Sequence, residues 1–482
     1  MNGRWRSFLE QERGGALVVS DLLRRFMRES PVTVMARAVL EHAFPDPLLD
    51  QMFRRVSRQQ YEDKLLFSTV VKVLAAVVTR GRKSVRNSYL ADAQAQAQAS
   101  LAALYVKLQN TETAVVSGLV RESFVRLLPV MQGLQAVRPA LFPGYCAKVL
   151  DGAHLTGTQH RPKETRTLHS APLPGQALVV LQPDQRLISA AFPCEDAHAQ
   201  ERSLLDGVLA TIVARDLLLA DRNFCTTEFL FGLARRQACF LIRQHASTLW
   251  GKELLGKRRR AGRGERGVVY EQTLRIVDPL NDEFLRVRRI TIVLDEPTVD
   301  GDTEIHLLTN LPQRFGAVRM AAAYLERWRV ENAFQEIEQA LRGEVDTLGY
   351  PKAALLAFGI ALVIYNVIAV VKGALQSQHA EAAAFEKLSG YCLASEIAAV
   401  YAGMMIAIPP QEWTALVAGS RLTSFVKFLR ETAAYAQPKR FMKAVRGPKR
   451  PPPKRTGGLR EKHVSTHRLL LTRRPSSLAT TL

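Results

Sequence analysis

Acidic residues are scarce in this sequence: 45 Asp and Glu stand against 66 Lys and Arg over 482 residues, a formal charge of +21. A shortage of negative charge favours a polyanionic partner, and nucleic acid is the commonest one. Cysteine is sparse too. The five present (Cys146, Cys194, Cys225, Cys239, Cys392) are odd in number, far apart and set in apolar runs, which excludes a disulfide framework and points to reduced intracellular thiols. No pair has zinc-ligand spacing. The N-terminus, MNGRWRSFLEQERGG, lacks an apolar core of signal-peptide length, so the expectation is a cytoplasmic protein associated with the nucleoid.

Long apolar runs are nearly absent. The exception, Ala353 to Val371 (AALLAFGIALVIYNVIAVV), is just long enough to span a bilayer. A helix buried on all sides is the favoured alternative, because the run stands alone, contains Tyr365 and Asn366, and follows a charged amphipathic helix. No membrane partner is expected.

The basic excess has a location. From Pro438 to the C-terminus 13 Lys or Arg face the single acid Glu461, so +12 of the +21 lies in residues 438–482. That tail, with RGPKRPPPKR at 446–455, reads as an extended basic arm. It would raise non-specific DNA affinity even if it served only solubility.

The length suggests about two to four structural units. Residues 1–140 carry helical periodicity through Pro31–Phe53 and Lys64–Val78, and read as a DNA-binding region. Between two helical segments, the basic run 80–86 is open to either phosphate contact or an ordinary exposed loop. From Tyr145 the pattern changes to β-type runs: AKVLDG (147–152), ALVVLQP (177–183) and RLISAAF (186–192). A helical stretch Ala199–Ala214 follows, then DLLLADRNF (216–224), another helix and CFLIRQH (239–245). These elements predict a mixed α/β sheet. Residues 247–303 predict a β-rich insertion opened by a basic loop (251–267), and the sheet resumes over 304–377 with a long helix from Ala317 to Leu341. Residues 378–437 are again helical.

Phosphodiester chemistry needs divalent ions held by hard oxygen ligands on rigid elements. Asp151 and Asp221 each stand alone after an apolar strand, at the end where α/β sheets place their chemistry. A lone Asp at a strand end is usually a cap or turn residue; two such residues on parallel-type strands divide evenly between cap and metal ligand. The third acid decides between them. In YLERWRVENAFQEIE (324–338), at about 100° per residue, Tyr324, Arg327, Glu331, Gln335 and Glu338 share one face, and Val330, Ala333, Phe334, Ile337 and Leu341 share another. A solvated surface helix does not predict a Tyr and an Arg flanking a Glu on one stripe.

Here the sequence resembles the DDE transposases of bacterial insertion sequences, the insertion-sequence-four group, whose third acid lies in a helix reading Y-x2-R-x3-E-x6-K. Tyr324, Arg327 and Glu331 match at those spacings, KVLDG supplies the first Asp and LLLADRNF the second. The resemblance covers roughly residues 30–375, and it makes the 110-residue gap between Asp221 and Glu331 an expected one. The family's final Lys is Glu338 here, which weakens a phosphate contact or leaves it to a neighbour.

The resemblance implies an RNase H-like α/β core with helical flanks. It implies Mg²⁺, with Mn²⁺ as a substitute, held by Asp151, Asp221 and Glu331 as catalytic residues, and a homodimer on DNA. Water would nick the transposon end, the freed 3′-hydroxyl would attack the opposite strand, often through a hairpin, and the same hydroxyl would join target DNA. Tyr324 and Arg327 would position end phosphates. Trp250 is a candidate for stacking on a flipped base, and Lys257, Arg258, Arg259 and Arg260 for DNA contact. Gly262, Gly264 and Gly267 fit a dinucleotide pattern, but in an Arg-rich setting with no preceding strand. His154, His160 and His169 are too irregular for a metal site. The competing functions are a catalytically inactive, transposase-derived DNA-binding protein, an RNase H-like nuclease and, third, a membrane protein.

Overall fold

The computed structural model describes residues 19–58, 64–93, 99–158, 162–167, 172–244, 252–278, 283–298, 301–444 and 465–472. Trp250, His160, His169 and most of the basic tail lie outside them. The chain forms two compact units. One comprises Met1–Val137, Leu155–Gly175 and Glu336–Leu482, the other Arg138–His154 and Gln176–Gln335.

The second unit is built on a sheet of nine strands: β1 (Cys146–His154), β2 (Gln176–Gln182), β3 (Leu187–Cys194), β4 (Asp216–Ala220), β5 (Cys239–Arg243), β6 (Glu253–Gly264), β7 (Gly267–Asp278), β8 (Glu283–Leu294) and β9 (Glu304–Thr309). Their order is β3-β2-β1-β4-β5-β9-β8-β7-β6. The β1–β2 and β2–β3 pairs are antiparallel, whereas β1–β4 and β4–β5 are parallel. This is the mixed sheet expected from the sequence. β4 (DLLLA) and β2 (QALVVLQ) are buried throughout, which is why they read as unbroken apolar runs. The helix Thr227–Arg235 is started by Thr226, whose hydroxyl accepts from the Phe229 N–H, and it buries Phe229, Leu230 and Leu233 with Leu218, Phe240 and Ile242 of the sheet.

The segment between β5 and β9 departs from expectation. The basic stretch expected as a loop is mostly strand β6, paired antiparallel with β7. Because β9 pairs with both β5 and β8, strands β6–β8 extend the same sheet, and Leu274, Ile276 and Val287 join its core. Lys257, Arg258, Arg259 and Arg260 are all exposed on β6, so neither face alternates and the period-2 signal disappears. Charge on such an edge strand also blocks unwanted strand pairing. The glycines of the apparent dinucleotide pattern serve this hairpin. Gly264 pairs with Gly267 around Glu265-Arg266, and at Gly267 (φ 151°) an added Cβ would lie 1.9 Å from the Val293 carbonyl oxygen.

The first unit is helical. Its main elements are Asp21–Glu29, Pro31–Ala43, Asp46–Val56, Phe67–Val78, Leu101–Asn110, Thr113–Gly133, Pro351–His379, Gly390–Ala407, Pro410–Val417 and Leu422–Ala433. The apolar run 353–371 lies within Pro351–His379, 94% of whose most apolar stretch is buried. Its Asn366 is satisfied there by donating to Ser123 Oγ at 2.9 Å. Gly390–Ala407 is also long and apolar enough to cross a bilayer, and 28% of it is buried. In the basic run 80–86, Arg80 donates to the carbonyls of Gln339 (3.1 Å) and Leu341 (3.3 Å), capping a helix end rather than standing free. All five cysteines are free thiols.

Candidate active site

The parallel pairing of β1 and β4 ends with Leu150 opposite Ala220, so the next residues, Asp151 and Asp221, follow side by side. Asp221 leaves the end of β4, but Asp151 lies within β1 and not at a strand end as the sequence suggested, because β1 continues to His154 and pairs Asp151 with Val179 of β2. Neighbouring strands lie about 4.8 Å apart, close enough for two carboxylates to face one ion. Asp221 stands at the N-cap of the turn Arg222–Phe224, yet its carboxylate makes no capping hydrogen bond. The structural role most common for such an Asp is therefore not the one it plays.

The third acid arrives on a segment that differs from the continuous helix expected. Ala317–Tyr324 is α-helical, Leu325–Arg327 tightens into a 3-10 turn, and Trp328–Ala340 resumes the α-helix. The apolar stripe holds, with Val330, Ala333, Ile337 and Leu341 buried. The tight turn coincides with the site. Arg327 Nη1 lies 2.7 Å from Glu331 Oε1 and 3.7 Å from Asp151 Oδ2. The preceding acid, Glu326, is spent on Arg138 (2.7 Å) and Arg329, and these cations hold it below the ordinary carboxylate range despite its burial.

One guanidinium thus serves several negative groups. Burial opposes the charge on Arg327, but Tyr324, Glu331, Asp221 and Asp151 together keep its pKa above the ordinary value. Burial, helped by the charges of Glu331 and Asp221, outweighs the pull of Arg327 and of the Gly152 N–H (3.1 Å), and Asp151 is pushed up to about 6. Tyr324 is buried, which raises its pKa, and its hydroxyl donates to the Ala220 carbonyl at 3.4 Å, bracing the residue before Asp221. The Nε of Arg327 is buried without a hydrogen-bond partner, so the side chain keeps a donor in reserve.

The carboxylates suit a hard divalent cation in their chemistry. Among the described residues no three metal-ligating side chains converge as a ready-made cage; Glu331 is held on Arg327. Asp151 and Asp221 are the part of the donor set that the strands themselves bring together.

Beside these residues lies a cavity of about 600 Å³, lined by Arg243, Arg266, Tyr324, Arg327 and Trp328 among others. Trp328 is exposed and stacks with the Arg266 guanidinium at 4.4 Å. Neither residue was singled out from the sequence, although Trp328 adjoins Arg327 in the signature segment. Arg258, on the exposed edge strand, stacks on Tyr270 at 4.1 Å and pairs with Glu304. His154 is half exposed and sits 3.8 Å from Glu201 Oε1.

Residues 149–367 match the family model described as the transposase DDE domain. The match supports a DDE transposase. The matched segment contains Asp151, Asp221, Tyr324, Arg327 and Glu331. Comparison with curated proteins returns no match. Among solved structures, a cryo-EM structure of the piggyBac transposase synaptic complex with hairpin DNA is similar at 9% identity and a TM-score of 0.34, over 82% of this chain and 86% of that one. A likeness at that level decides neither the fold nor the partners of the DDE segment.

Proposed function

We propose that this chain is a cut-and-paste DNA transposase, of the insertion-sequence-four type, whose RNase H-like core uses Asp151, Asp221 and Glu331 to hold divalent cations, Mg²⁺ first and Mn²⁺ as a substitute. The observation that carries the reading is the pair of acids that follow the last paired residues of the adjacent parallel strands β1 and β4, facing one arginine shared with a helical glutamate, inside the segment that matches the DDE domain.

Bound cations supply Lewis acidity, lowering the pKa of a water and stabilising the leaving oxygen. The protein's own groups do the rest. Asp151, within β1, and Asp221, just after β4, fix the site on the rigid sheet. Glu331 completes it on leaving Arg327, and the freed guanidinium, with its unspent Nε, grips a phosphate by paired hydrogen bonds. In the first step the water oxygen bonds to phosphorus, the bond to the 3′-oxygen breaks and a 3′-hydroxyl forms. In the next that hydroxyl attacks a second phosphodiester and displaces its bridging oxygen.

The exposed Lys257, Arg258, Arg259 and Arg260 give β6 the character of a backbone-tracking edge. Arg266 and Trp328 present a stacking surface beside the acids. Tyr324 is assigned to end positioning along with Arg327, acting through the Ala220 strand end that it braces. A homodimer on paired ends and a nucleoid location complete the proposal.

The test is cleavage of DNA carrying the element's own ends, with Mg²⁺, by the wild type and Glu331→Ala. Cleavage only by the wild type supports the triad. Equal cleavage removes Glu331 from the site, and binding without cleavage by either protein favours a DNA-binding relic.

A further inference from the structure

Gly152 follows Asp151 directly. A Cβ added there would lie 1.8 Å from Glu201 Oε1 and 2.7 Å from its Cδ, so the Glu201 carboxylate occupies the volume that a side chain at 152 would need. The other carboxylate oxygen accepts from Asn223 Nδ2. The next residue, Arg202, donates from Nε to the Asn223 carbonyl at 2.7 Å. Asn223 lies in the turn Arg222–Phe224 immediately after Asp221, a turn closed by the Phe224 N–H donating to the Asp221 carbonyl at 3.1 Å. Glu201 is largely buried, with its side chain 17% exposed. Two consecutive residues of the short helix Glu201–Leu204 therefore grip the amide and the carbonyl of Asn223 and rest on the backbone beside Asp151.

We propose that Glu201 is a positioning residue that sets the spacing of Asp151 and Asp221 by bridging Gly152 and Asn223. The inference rests on the reading of the two aspartates as cation ligands. His154 Nδ1, at 3.8 Å from Glu201 Oε1, is beyond hydrogen-bond length, so Glu201 acts through the hydrogen bond it accepts from Asn223 and the space it fills at Gly152. Its absence lets the turn after Asp221 drift from Gly152 of β1, and groups that orient ligands typically govern metal affinity by about ten- to a hundredfold.

The experiment is Mn²⁺ titration of the full-length protein without DNA, reading free Mn²⁺ by electron paramagnetic resonance, with thermal unfolding as a check on folding. Wild type takes up Mn²⁺ and Asp151→Asn loses it. Glu201→Ala binds about ten- to a hundredfold more weakly, while Glu201→Gln, which still accepts from Asn223, stays near wild type. Gly152→Ala, which displaces the carboxylate, weakens binding as Glu201→Ala does, and the two together cost no more than either alone because they remove one contact. Wild-type affinity in Glu201→Ala, or a Glu201→Gln as weak as the alanine variant, overturns the inference. No Mn²⁺ uptake by wild type, or full uptake by Asp151→Asn, overturns the metal reading instead.

Discussion

Strands β1 and β4 carry acids at both ends of their pairing, and the two ends are satisfied in opposite ways. At the N-terminal end Asp216, buried, lies 2.6 Å from Lys148 Nζ and accepts from the Val213 N–H at 2.8 Å. One acid meets one cation there, and the account is closed. At the C-terminal end Asp151 and Asp221 share Arg327 with Glu331, so one guanidinium faces three carboxylates. The difference teaches what to look for in an acid at a strand end: a one-to-one pair holds the fold, whereas a surplus of carboxylate around one cation is held by the fold at a cost that a bound cation would relieve.

The largest effect that separates the two ends concerns activity. Asp221→Asn and Asp151→Asn should each lower single-turnover cleavage of end DNA by at least about a hundredfold, the scale of losing a group that stabilises charge in a transition state. Gel-shift binding of the same DNA should survive. Loss of binding in step with cleavage would show these residues to be structural, like Asp216.

Stability should show the reverse order. Asp216→Ala leaves Lys148 buried without a partner and should cost about 3–5 kcal/mol, read as a lower Tm. Asp151→Asn removes a desolvated charge and should leave Tm unchanged or raised at neutral pH.

The next effect is in pH. Asp151 has a folded pKa of about 6, above its unfolded value of 3.8. The folded state therefore binds more protons than the unfolded state between these values, so stability is lost as pH rises through that window and stays lost above it. The difference is about 3 kcal/mol. Subtracting the Tm profile of Asp151→Asn from that of the wild type isolates this contribution, and a flat difference between pH 4 and 7 would refute it. The smallest effect sharpens the closed end: Lys148→Met with Asp216→Leu replaces a buried pair by apolar volume, and should keep both Tm and cleavage within reach of wild type.

Much of this arrangement is legible in the sequence, for identifiable reasons. DLLLA and QALVVLQ sit in the sheet interior with no exposed position, so their apolar runs survive as strand signals. The Tyr324, Arg327 and Glu331 spacing remains readable because the buried stripe of Val330, Ala333, Ile337 and Leu341 keeps helical period. The 3-10 turn at Leu325–Arg327 does not show in that pattern; its Glu326 and Arg327 meet Arg138 and Asp151, residues distant in sequence. Strand β6 is hidden for the opposite reason: its residues are exposed on both faces, and charge resembles a loop when no face is buried. The sequence expected a helix over Ala199–Ala214, but the structure has the short turn Glu201–Leu204 and the helix Leu205–Leu209. That the first of these opens with Glu201 against Gly152 is a tertiary fact, recorded in the sequence only as a glycine after Asp151.

The measurement that tests the central claim most directly is metal rescue. Asp151→Cys and Asp221→Cys replace a hard oxygen ligand by a soft sulfur one, which changes the preferred cation without removing the ligand. If the aspartates hold the catalytic cation, both variants should fail to cleave end DNA in Mg²⁺ and regain cleavage in Mn²⁺ or Cd²⁺, while Asp151→Ala and Asp221→Ala stay inactive in every metal. Rescue of the alanine variants alongside the cysteine ones, or cleavage by the cysteine variants in Mg²⁺ at the wild-type rate, would contradict the account.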